Sequence, residues 1–101
     1  MSAQKNKLAY IIMQQLEFNK TRIEGFKRDI KRLKASKKYK QKASDTIASV
    51  KERKYLMKQV KEYNSELKKI LKLKNEYKMA KKLEKVNEKF EKKYSSKQYK
   101  M

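Results

Sequence analysis

The chain contains no cysteine, histidine, proline or tryptophan, and only one glycine, Gly25, among its 101 residues. Without cysteine there is no disulfide framework and no thiolate metal site, and without histidine the commonest neutral ligand is missing, so no metal or cofactor is expected. One glycine and no proline leave few residues for the tight turns and positive φ of hairpins, barrels and phosphate-cradling loops, which excludes most β architectures. An all-α fold remains. Long apolar runs are lacking too. The longest, LAYIIM at residues 8–13, falls well short of the roughly 18–20 residues of a membrane span. It follows Lys5 and Lys7 but leads into Gln14, Gln15 and Glu17 with no small-residue cleavage pattern, so neither a span nor a targeting segment is expected. A cytoplasmic or nucleoid-associated location fits.

Acidic residues are also scarce. Thirty-one bases face 11 acids, for a net charge of +20 and a mean hydropathy of −1.17. Lysine supplies all the bases except Arg22, Arg28, Arg32 and Arg53. AT-rich codons inflate lysine, but acidic codons tolerate the same bias, so the imbalance has another cause. It points to an anionic partner: nucleic acid, an anionic membrane or an acidic protein surface. The charge is uneven, for residues 27–42 place Lys27, Arg28, Lys31, Arg32, Lys34, Lys37, Lys38, Lys40 and Lys42 against Asp29 alone.

Apolar spacing supplies the organisation. Ala9, Leu16, Ile23 and Ile30 recur every seven residues, and Ile12, Asn19, Phe26 and Leu33 form a second series displaced by three. This is a four-heptad seam on one helix, predicted over residues 4–35. The seam serves either the second half of the same chain or a partner helix. Leu8, Ile11 and Ile12 spread apolar surface more widely than a two-helix seam covers, which favours a bundle or dimer. The predicted interface is therefore Leu8, Ile11, Ile12, Leu16, Asn19, Ile23, Phe26, Ile30 and Leu33. Asn19 within that seam is suited to fixing a register or oligomer state. Gly25 is either a point of close backbone approach, a bend or a tolerated accident.

A second helix is predicted over 45–94, with Ser44 or Asp45 as its cap and a weaker capping match at Ser49 and Glu52. Ile47, Val50, Leu56, Val60, Tyr63, Leu67 and Ile70 carry its seam, and the short step to Leu73 shifts the register, so imperfect packing is expected near residues 70–80. Tyr77, Ala80, Leu83, Val86, Phe90 and Tyr94 continue it, and residues 95–101 read as a frayed tail. Between the helices no large aliphatic residue supports a seam, and like charges crowd each turn, so a basic bend is predicted at 35–45. The expected fold is a single-domain antiparallel helical hairpin or coiled coil assembling into a dimeric bundle.

Catalysis has little support. The carboxylate pairs Glu62 with Glu66 and Glu84 with Glu88 share helix faces but are interspersed with lysines, and no nucleophile–base set can use histidine or cysteine. A non-enzyme is expected. Nucleic-acid binding fits better: the nine bases of residues 27–42 can neutralise several phosphates, and Tyr39 among them can stack on an unpaired base. Lysine is a point charge suited to phosphates, and only Arg28 and Arg32, one turn apart, are placed to read a base edge, so backbone-directed contacts are expected. A basic segment beside a heptad run invites comparison with bZIP proteins, but the asparagine-alanine-arginine pattern of that basic region is missing. The competing expectation is a helical interaction protein of phage or mobile-element type, whose apolar first helix grips an acidic protein partner and inhibits or recruits it.

Overall fold

A computed structural model describes the backbone of residues 3–100 and the side-chain surroundings of residues 7–92. Among the described residues the chain is all-helical: α1 Ala3–Ala35, α2 Lys37–Lys40, α3 Ser44–Leu71 and α4 Glu76–Lys100. None of these helices is long and apolar enough to cross a membrane. Two compact units are distinguished, one of Met1–Leu16 with Glu62–Met101 and the other Glu17–Lys61.

The first unit holds the main apolar core. Ile12 of α1, Leu67 and Ile70 of α3, and Met79 and Val86 of α4 are buried together, with Leu8, Ala9, Leu16, Tyr63, Leu71, Leu73, Leu83 and Phe90 packed around them. The Tyr63 and Phe90 rings meet edge to face at 5.3 Å, a geometry favoured by the ring quadrupoles. The Tyr63 hydroxyl donates to Asn87 Oδ1, and burial pushes its phenol pKa up.

The expected single helix over 45–94 is corrected here, because residues 72–75 separate α3 from α4. At the end of α3, Lys72 N–H and Leu73 N–H donate to the carbonyls of Lys69 and Ile70, at 3.2 and 3.0 Å, tightening the last turn. Asn75 then caps α4, its Oδ1 accepting from Lys78 N–H at 3.0 Å, and Glu76 places a negative charge in the first turn, where the helix dipole favours it. The interruption lets Leu71 and Leu73 both reach the core; the register shift is absorbed by ending a helix rather than by overwinding one. α4 extends to Lys100, beyond the predicted start of the frayed tail at 95. Tyr94 lies outside the residues whose side chains are described, and Met101 outside the described backbone.

In the second unit, Ile30, Val50, Val60, Asn19 and Thr46 are buried. Asp29 on α1 bridges to Arg53 on α3 at 3.6 Å, and Arg53 also donates to the Ser49 carbonyl. Ser49 thus lies within α3 rather than at its start. The segment joining α1 to α3 is built by side chains and backbone without glycine. Ser36 donates its hydroxyl to the Leu33 carbonyl at 2.7 Å, closing α1, and the same oxygen accepts from Tyr39 N–H at 3.3 Å, capping α2. α2 closes with Lys42 N–H donating to the Tyr39 carbonyl and Ala43 N–H to the Lys38 carbonyl, the two bonds of a Schellman motif. Ala43 then occupies the cap position of α3, and its carbonyl accepts from Ile47 N–H. Ser44 and Asp45, the expected caps, are the first two helical residues, where the Asp45 charge still suits the dipole.

The Schellman motif puts Lys42 at φ 59°, a left-handed conformation usually filled by glycine. The chain's one glycine lies elsewhere, so within the predicted bend the structure makes this turn with a lysine. Lys42→Gly is expected to stabilise the chain by roughly 1 kcal/mol, since the Cβ strain goes. Urea unfolding would check it; unchanged or lower stability would mean that the left-handed residue is unstrained. Gly25, by contrast, needs none of glycine's freedom, for a Cβ built there meets nothing within 4 Å, so close approach of another part of this chain does not account for it.

Candidate nucleic-acid interface

The residues of the basic segment separate by helix face. Lys27, Lys31 and Lys34 follow one another at spacings of four and three along α1, and so share one side of it. They line an open groove of about 530 Å³ whose other lining residues are Ile30 of α1 and Lys54 and Met57 of α3. Ile30 is buried and Met57 half-buried, so the groove has an apolar floor and cationic walls. Arg28 and Arg32 follow Lys27 and Lys31 by one residue each, about 100° further round the helix, and neither lines the groove. Arg32 is also engaged, donating to Asp29 Oδ1 at 3.2 Å. With its two oxygens turned to Arg32 and Arg53, the single carboxylate of residues 27–42 is occupied outside the groove lining.

Lys37, Lys38 and Lys40 are exposed on α2, Lys42 is exposed in the turn after it, and Tyr39 is half-buried. Thus residues 27–42 give two sets of lysines: those of α1 on the groove and those of the α2 turn. Sequence reasoning missed Lys54 and Met57. Lys54 is exposed, yet its pKa is lowered, chiefly by a hydrogen bond with Lys34 that favours the uncharged amine, then by the Lys34 charge and some desolvation, while Tyr39 acts in the opposite sense. The spacing of Lys54 in the sequence carries no signal of this; only the pairing of α1 with α3 does.

The predicted interface residues divide as well. Ile12 is in the core of the first unit, with Leu8 and Leu16 packed on it. Asn19 and Ile30 are buried and Ile23, Phe26 and Leu33 half-buried within the chain itself, whereas Ile11 is 49% exposed. The carboxylates Glu62 and Glu66 face a small hollow of about 160 Å³ with Ser65, Lys89 and Phe90, and Glu66 pairs with Lys69 at 3.8 Å. Glu84 and Glu88 are exposed on α4.

Comparison with protein-family models, curated proteins and solved structures finds no match to this chain.

Proposed function

We propose that the protein is a small, non-enzymatic nucleic-acid-binding accessory protein that makes mainly phosphate-backbone contacts. The observation that carries this reading is the concentration of exposed lysines on α2, its following turn and the adjoining face of α1, where Asp29 is paired to arginines and Glu24 to Lys27 alone. Such a surface offers point charges to phosphates and little bidentate geometry to bases. Association is accordingly backbone-directed and salt-dependent.

A second reading is favoured by a different observation: Tyr10, Ile11 and Met13 are 59, 49 and 56% exposed on one turn of α1. Such a patch suits a helical interaction protein that holds an acidic protein partner, or a second copy in a dimeric bundle of helical hairpins. Capture from lysate with and without nuclease separates these readings. A nucleic-acid binder retains polynucleotide and loses most companions on nuclease treatment. Retention of one defined protein after nuclease, with no bound polynucleotide before it, would put the second reading first.

A further inference from the structure

We propose that the groove between α1 and α3 seats one nucleotide of a single-stranded nucleic acid, with its flanking phosphates on Lys27, Lys31, Lys34 and Lys54 and its base against Ile30 and Met57. The inference rests on the nucleic-acid reading above and adds to it the class of strand.

Charge is the first argument. Four ammonium groups from two helices border one trough, and no carboxylate lines it. Lys34 and Lys54 line the same groove from facing helices, so their like charges repel, in keeping with the lowered pKa of Lys54, and an anion lodged between them relieves that repulsion. Lys27 pairs with Glu24 at 3.8 Å, whereas Lys34 and Lys54 take part in none of the ion pairs among the described residues.

The floor supplies the second argument. A bare phosphate gains nothing from the Ile30 and Met57 surface, whereas a base covers it. The thioether of Met57 is suited to the face or edge of an aromatic ring. The volume of about 530 Å³ lies within the roughly 300–1,000 Å³ of small-ligand sites, room for a nucleotide's base and sugar. Shape is the third. A duplex presents phosphates on a convex exterior with its bases stacked inside, so it would rest on the lysine walls and leave the floor bare. An unpaired strand can turn a base inward.

The test measures fluorescence anisotropy of a labelled short oligothymidylate, an abasic strand of the same length, the corresponding duplex and an oligoglutamate peptide, each with the full chain at moderate salt. Oligothymidylate is expected to bind roughly tenfold more tightly than the abasic strand, the increment of one seated base, and more tightly than the duplex. Lys54→Gln should weaken oligothymidylate binding several-fold more than Lys68→Gln, an exposed α3 control, with helicity retained. Met57→Glu should abolish the preference for the base-bearing strand. Equal binding of all three nucleic acids, Lys54→Gln no worse than the control, or a base preference that survives Met57→Glu, would each overturn the groove assignment and leave the nucleic-acid reading in place. Absence of nucleic-acid binding at low salt, or equally tight binding of oligoglutamate, would overturn both.

Discussion

Leu67→Ala is expected to destabilise the chain by roughly 3–5 kcal/mol, the upper part of the range for emptying a buried leucine site. Leu67 is 0% exposed and lies in the cluster with Ile12, Ile70, Met79 and Val86. Its neighbours come from three helices, so collapse into the vacated space requires several backbones to shift together, and the cavity term persists. A domain of this size holds only about 5–15 kcal/mol in total, and each kcal/mol corresponds to roughly 4–8 °C of melting temperature. The variant should therefore melt well over 10 °C lower by circular dichroism, if it remains folded at all. Tyr77→Ala is the control, because Tyr77 is 66% exposed and its removal leaves the core intact. A Leu67→Ala loss no larger than that of Tyr77→Ala would mean that α1, α3 and α4 do not share this core.

The helical class was legible because two heptad series leave no other use for the apolar residues of α1, and a single glycine with no proline removed the alternatives. Both series came out buried or half-buried over the described residues, from Ala9 to Leu33. The first helix was expected to stop at 35 and α1 ends at Ala35, but the break inside the second helical run was much less legible. The break at residues 72–75 contains neither proline nor glycine; it is made by Asn75 acting as a cap, and a lone asparagine among lysines is a weak cue. Within the expected bend at 35–45, the left-handed conformation of Lys42 was not legible, since nothing local marks a lysine that the surrounding packing holds there. The candidate site was legible as a charge maximum but not as a shape. Lys54 resembles every other helical lysine until α3 is laid against α1, and Met57, next to the seam residue Leu56, stands outside the predicted apolar spacing.

The basic α2 turn carries the second large effect. Changing Lys37, Lys38, Lys40 and Lys42 to glutamine removes four exposed charges from one short segment without touching a buried side chain, so helicity should survive. If all four meet phosphates, the variant loses their counterion release, and the slope of log K against log salt becomes shallower by roughly three units. Affinity at low salt should fall by orders of magnitude, because these contacts are strongest where counterions are most dilute. A quadruple change at Lys68, Lys72, Lys81 and Lys85, exposed positions of the first unit, removes the same net charge and so calibrates the long-range field.

The measurement that bears most directly on the central claim is the salt dependence of oligonucleotide binding by the nuclease-treated wild-type chain and these two variants. The predicted result is a steep negative slope for wild type, a much shallower one for the α2-turn variant and a small change for the control. Equal slopes for the two variants would contradict a localised phosphate site, and salt-insensitive or absent binding by wild type would contradict nucleic-acid binding itself.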